Sequence, residues 1–204
     1  MNFQENGDDG PYGVDHPEYT GGVIRLDRWQ NFGTASWGSG HGLNATATDS
    51  AGEHTISLSA DKTNGRHPDG NYILTNTDLL ISKGRLLIRD DDGLTISGIP
   101  EAYRTGGYDL YLYSHRSSAE AHSVRLRIGV GVEETIWLKG KEEDWDGLEY
   151  RRATATSETE AAAGEFTNYA LFENLQAESI NLNASYGLTA IQIVKSTDLT
   201  DYDQ

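Results

Sequence analysis

The chain has 204 residues, 32 of them acidic and 16 basic, for a formal net charge of −16, and it has no cysteine. That length suits one large domain with a sizeable core of its own. The charge argues against nucleic acid and against an anionic membrane surface, since both are bound through basic stripes; the missing cysteines exclude disulfides and thiolate metal sites.

No stretch reaches the roughly 18 apolar residues of a membrane span. The start, Met1-Asn2-Phe3-Gln4-Glu5, lacks the basic opening and apolar run of a signal peptide. Residues 1–20 are rich in Gly, Asp and polar groups and read as a flexible leader. Residues 21–195 follow as a single β-sandwich domain, and residues 196–204 as an acidic tail or linker.

Val23 to Leu26 opens the first strand and Trp29 to Phe32 closes it, ahead of the glycine-rich loop Gly33–Gly42, which carries Trp37 and His41. Leu43–Thr48 and His54–Ala60 read as a hairpin across Asp49-Ser50-Ala51-Gly52. Asn64-Gly65 and Pro68-Asp69-Gly70 are turn signals, so Asp61–Asn71 reads as a loop. Tyr72–Leu74, Leu79–Ile81, Arg85–Ile88 and Leu94–Ser97 are short strands, the last broken by Gly98-Ile99-Pro100 because proline lacks the ladder donor.

The stretch Gly107–His115 is the one the chain is organised around. Tyr108, Leu110 and Leu112 fall on one face, while Asp109, Tyr111, Tyr113 and His115 fall on the other. This is the pattern of an inner antiparallel strand, flanked on our reading by Leu94–Ser97 and Ser123–Val130. In Ser123–Val130 the residues Val124, Leu126, Ile128 and Val130 face the core, and Arg125 and Arg127 face outward, beside Asp109 and the tyrosines. Glu134–Leu138 and Leu148–Thr156 are further strands, Ser157–Gly164 a polar connection with a short helix, and Phe166–Phe172, Ile180–Ala184 and Thr189–Val194 the closing strands. About ten to twelve short strands with no long helical period predict an all-β fold: a two-sheet antiparallel β-sandwich of jelly-roll type.

Several segments in this order carry a resemblance: Trp29-Gln30-Asn31, Asp49-Ser50-Ala51-Gly52, Thr95-Ile96-Ser97-Gly98-Ile99-Pro100, Tyr108–Tyr113, Asn168–Leu175 and Ala190–Val194. Together they resemble a jelly-roll domain type of large secreted proteins of Planctomycetes and Verrucomicrobia, which is similar to carbohydrate-binding modules. The likeness spans residues 22–195. Two positions depart from it: Arg85 stands where an aromatic is expected, and Leu188-Thr189-Ala190 replaces an Asn-Gly step. The resemblance implies export, with a signal peptide already removed, and an extracellular or envelope location beside neighbouring domains of a larger chain or in a homo-oligomer. Jelly-roll modules often hold a structural calcium, an idea that rests here on the resemblance alone.

The expected function is non-catalytic binding of a polysaccharide. The ligand-binding candidates are Trp37, Trp145, Tyr111, Tyr113, His115, Arg125 and Arg127, since sugar C–H faces pack on aromatic rings and guanidinium groups meet hydroxyls and acids. Asp90, Asp91 and Asp92, with Asp144 and Asp146, are the candidate calcium ligands, although neither run matches an EF-hand loop, and a solvated turn is the simpler reading. Apart from calcium, no cofactor is indicated. The histidines are scattered without metal-site spacing. Two other functions fit the same chain: a structural or adhesive subunit assembling by β-strand addition, and a polysaccharide lyase or glycoside hydrolase built on a Tyr, His and Arg group such as Tyr113, His115 and Arg116 or on paired carboxylates.

Overall fold

Strand after strand places apolar side chains on at least one side, so each sheet has an oily face that must be buried against the other. A computed structural model describes residues 2–5, 22–24, 31–34, 41–66, 85–88, 93–116, 118–141 and 149–196. The first strands are β1 (Asn2–Glu5), β2 (Asn31–Thr34), β3 (His41–Thr48), β4 (Thr55–Arg66), β5 (Arg85–Ile88) and β6 (Leu94–Ser97). After helix α1 (Glu101–Arg104) come β7 (Tyr108–Tyr113), β8 (Ala121–Ile128) and β9 (Val132–Lys139). Helix α2 (Glu158–Ala163) then precedes β10 (Tyr169–Leu175), β11 (Ser179–Ala184) and β12 (Ala190–Lys195). No described helix is long and apolar enough to cross a membrane.

The five-stranded sheet has the order β10-β7-β12-β1-β2; the seven-stranded sheet runs β3-β4-β6-β11-β8-β9, with β5 also paired to β4. Every strand pairing is antiparallel except β1 with β2. Without β2 to β5, the orders reduce to β1-β12-β7-β10 and β6-β11-β8-β9. From β6 onward the chain changes sheet at every connection except the β8–β9 hairpin, and this nesting is the jelly roll expected from the sequence. β3, β4 and β5 widen the larger sheet.

The core fills the space between the sheets. From the smaller sheet come Tyr108, Leu110, Leu112, Phe172 and Ile191; from the larger come Leu58, Ile96, Leu126, Leu138 and Leu182, all in one buried cluster. One side of the sandwich is stitched by the segment before α2. Trp137 N–H donates to Ala155 O at 2.9 Å, Ala153 N–H donates to Tyr169 O at 2.8 Å, and Arg152 bridges Tyr169, so this segment joins the β9 edge of one sheet to the β10 edge of the other.

Local chemistry explains the turns. In the β3–β4 hairpin, Asp49 Oδ1 accepts the Glu53 N–H at 2.8 Å, and Gly52 takes φ +76°, a backbone region that only glycine enters at no cost. Helix α2 opens on Ser157, whose hydroxyl accepts the Glu160 N–H at 3.2 Å, while the Glu160 carboxylate turns back to the Thr156 N–H at 2.8 Å. This is a close relative of the capping box.

Several expectations are corrected. Asn2–Glu5, read as part of a leader, is a strand of the chain's own smaller sheet. Val23 and Ile24 lie in a turn rather than a strand. Asp61–Arg66 is not a loop: β4 runs through the Asn64-Gly65 signal because Asn64 and Gly65 pair with Leu87 and Leu86 of β5. Leu148–Thr156 forms no strand among its described residues, only isolated bridges at Arg152 and Ala155. Strand β7 is an inner strand, but its partners are β10 and β12; Leu94–Ser97 and Ser123–Val130 belong to the opposite sheet. Val130 does not face the core. It is fully exposed at the β8–β9 tip, between Gly129 and Gly131, both at positive φ.

Candidate functional site

There are two outward faces, one per sheet, and the residues that the sequence reading grouped together are divided between them. Alternation puts Tyr111 and Tyr113 on the outward side of the smaller sheet as expected, yet they are only 4% and 3% exposed. A second layer covers them. Val23, Ile24 and Tyr150 pack over this face, against Tyr169 and Leu171 of β10 and Ala190 and Val194 of β12. The tyrosine rings interlock: Tyr113 meets Tyr150 edge-on at 5.5 Å, and Tyr111 lies 6.1 Å from Tyr169.

Hydrogen bonds fasten the cover. The Val23 N–H donates to the Tyr113 hydroxyl at 2.8 Å, that hydroxyl donates to Gln192 Oε1, and Gln192 Nε2 donates to Ile24 O at 2.8 Å. Residues 22–24 are thereby strapped across β7 and β12. Burial pushes the Tyr111 phenol up to about 12 and raises Tyr169 as well, so both stay protonated near neutrality and are shifted away from what a tyrosinate base needs. As sugar platforms these tyrosines are therefore corrected to core. His115 lies beyond the end of β7, half-buried, with its ring edge-on to Phe166 at 6.3 Å.

The outward face of the larger sheet differs. Opposite its oily side, each strand carries small hydroxyl or amide groups, and register aligns them into rows. One row crosses the strands of this sheet as Asn44, Ser59, Thr95, Asn181, Arg127 and Glu133. At the usual inter-strand spacing of about 4.8 Å, it extends roughly 24 Å. On one flank runs Thr46, Ser57, Ser97 and Ser179; on the other, Asn183, Arg125 and Thr135. The β3 and β4 end is exposed and the middle is half-buried. Asn181 Nδ2 donates to Thr95 Oγ1 at 3.3 Å, linking neighbouring strands within the row.

Arg125 and Arg127 are thus on an outward face, as expected, but on the sheet opposite Asp109 and the tyrosines. Both reach one carboxylate. Arg127 Nε and Nη2 each donate to Glu133 Oε2 at 3.2 Å, and Arg125 Nε lies 3.3 Å from Glu133 Oε1 at an angle that makes an ion pair without a hydrogen bond. Trp137 sits half-buried on this same face of β9, beside Ser123. Helix α2 packs against β8 and β9 there, and Lys139 Nζ donates to Ala162 O and Gly164 O at the helix C-terminus, as the helix dipole favours.

Trp37, Trp145 and the candidate calcium ligands Asp90, Asp91, Asp92, Asp144 and Asp146 lie outside the described residues. Among the described residues no group of His, Asp and Glu is arranged to hold a metal ion.

At one end of the sandwich His122 is 2% exposed, with Nε2 3.3 Å from Ser114 O, its ring 5.8 Å from that of Tyr186, and Nδ1 unpartnered. Burial, aided by the charge of nearby Arg116, pulls its pKa down to about 4. The folded protein therefore holds this ring neutral, while the unfolded chain protonates it near 6.5. Stability is fully present above the unfolded value and falls as pH drops from about 6.5 toward 4. Between pH 7 and pH 5 the wild type is expected to lose about 2 kcal/mol more than His122→Gln. Urea denaturation of both proteins at the two pH values checks this, and equal losses would contradict it.

The sequence reading missed Thr95, Asn181, Asn183 and the serines of β4. A signal was present: over Asn44–Thr48, Thr55–Ser59, β6 and β11 every residue opposite the apolar face is Ser, Thr or Asn. No family model, curated protein or solved structure matches the chain.

Proposed function

We propose that the protein is a non-catalytic polysaccharide-binding module of a secreted or cell-surface protein, and that it binds through the outward face of the larger sheet. The observation that carries this reading is the aligned row from Asn44 to Glu133. An extended chain of sugar rings presents a line of hydroxyls, each both donor and acceptor. Short Ser, Thr and Asn groups on a rigid sheet match that line at low cost in side-chain entropy, since few rotamers are lost on binding. Arginine and the half-buried Trp137 at the β9 end add an oriented donor fork and a ring face. The jelly-roll architecture and the resemblance seen in the sequence support the same reading.

Affinity electrophoresis in gels cast with soluble polysaccharides tests it. At least one glycan should retard the protein, and Thr95→Val combined with Asn181→Leu should weaken that binding about thirtyfold, from the loss of hydrogen bonds worth about 1 kcal/mol each. Trp37→Ala and Trp145→Ala in the same gel report whether those tryptophans share the site. Unretarded migration in every gel would end the proposal.

A further inference from the structure

The chain carries 32 acidic residues against 16 basic ones. Yet among the described residues Glu133 is the only carboxylate in the three rows traced above, and it faces two guanidinium groups; Asp61 stands beyond those rows, next after Ser59 on the outward side of β4. These rows thus carry little of the acidic excess of the chain. Arg125 and Arg127 are 42% and 38% exposed at their side chains, and Glu133 is 44% exposed. One carboxylate neutralises one cation, so the trio keeps a net positive charge.

The neighbours are suited to oxyanion binding. Asn183 and Thr135 flank Arg125 in register, and Asn181 flanks Arg127, so amide and hydroxyl groups lie on the adjacent strands beside the guanidinium pair. The Arg125 Nε makes an ion pair with Glu133 but no hydrogen bond, so Glu133 engages the Arg125 fork less fully than that of Arg127. The long-range repulsion from the acidic remainder of the molecule is screened within about 8 Å at physiological salt, so a bound anion senses chiefly this local trio.

We infer that the Arg125, Glu133 and Arg127 end of this face recognises an oxyanion carried on a sugar ring, either a uronate carboxylate or a sulfate ester, so that the ligand class is an anionic polysaccharide. The inference rests on the binding face proposed above and adds the charge of its ligand. An incoming oxyanion competes with Glu133 for the two guanidinium forks. Arginine is the suited residue because its planar fork pairs bidentately with carboxylate and sulfate. Glu133 serves as a stand-in that holds both forks in position until the ligand arrives, which limits the ordering cost of binding.

The test is affinity electrophoresis of the full chain in four gels: polygalacturonate, its methyl-esterified form, a sulfated galactan and its desulfated form. The wild type should bind a charged polymer at least tenfold more tightly than its neutral counterpart, and the uronate and sulfate pairs identify which oxyanion is read. Arg125→Gln with Arg127→Gln should abolish that preference, bringing the affinity for the charged form down to that for the neutral form. Glu133→Gln should raise affinity for the charged polymer severalfold by freeing both forks. Thermal melts of each variant, expected within a few degrees of wild type because the sites are exposed, establish that folding is intact. Equal binding of charged and neutral forms, or a preference that survives the double substitution, overturns this inference and leaves the binding face standing. Absence of binding to all four polymers, together with failure across the wider glycan set, removes both.

Discussion

Phe172→Ala is expected to lower the free energy of unfolding by about 4 kcal/mol, the usual cost of emptying a buried aromatic site. Phe172 is 1% exposed and pairs in register with Leu110, so its ring sits where β10 and β7 together face the larger sheet. Neither strand can close the gap without breaking its ladder, and the cavity persists. For a domain whose total stability is on the order of 5–15 kcal/mol, this is a large fraction. Urea titration at pH 7 should show a lower midpoint with an unchanged slope. Val130→Ala, at the exposed hairpin tip, is the control and should stay within about 0.5 kcal/mol of wild type. A Phe172→Ala midpoint equal to that of the control would mean that the two sheets do not meet there.

The second large effect belongs to Asp109. Its side chain is 4% exposed, and Oδ1 accepts the Asn174 N–H at 2.9 Å and the Ser196 hydroxyl at 2.6 Å. Asn174 has φ +53° in the irregular part of β10, and a Cβ on Gly107 would overlap its side-chain oxygen. The ends of three neighbouring strands therefore meet around one carboxylate. Asp109→Ala leaves a strained backbone N–H without its acceptor and is expected to cost about 3 kcal/mol. Asp109→Asn keeps one acceptor oxygen and should cost about 1 kcal/mol. Hydrogen exchange localises the effect: the Asn174 and Ser196 amides should lose protection first, and an unchanged Asn174 amide in Asp109→Ala would refute the role.

Much of this architecture was legible in the chain. The hairpin across Asp49–Gly52 has its turn chemistry written locally, and Tyr108, Leu110 and Leu112 announce an inner strand by alternation alone. What alternation does not encode is which strands are neighbours. Leu94–Ser97 and Ser123–Val130 are adjacent to β7 in order, and a simple meander would pair them with it; the jelly roll instead sends each to the other sheet. That error moved Arg125 and Arg127 beside the tyrosines. The burial of Tyr111 and Tyr113 was hidden for a related reason. Their cover comes from Val23, Ile24 and Tyr150, which are far away in the chain. An aromatic second face reads the same from sequence whether it is open or roofed. The Ser, Thr and Asn rows were missed because such residues are the ordinary solvent side of a strand, and only the register shows them continuous across the sheet.

The strap of residues 22–24 has a consequence for how the molecule assembles. Its anchors are Tyr113 and Gln192, and the bond from Gln192 to Ile24 spans 168 positions of the chain. The anchor on β12 is therefore made long after the strap it holds, and the strap must wait for it. Every strand of the larger sheet, from β3 to β11, lies between the two in the chain. Closure of so long a loop is entropically costly, and topologies dominated by distant contacts fold slowly. The strap over the tyrosine face is completed only after β12 has been made, and it is among the last parts of the fold to settle.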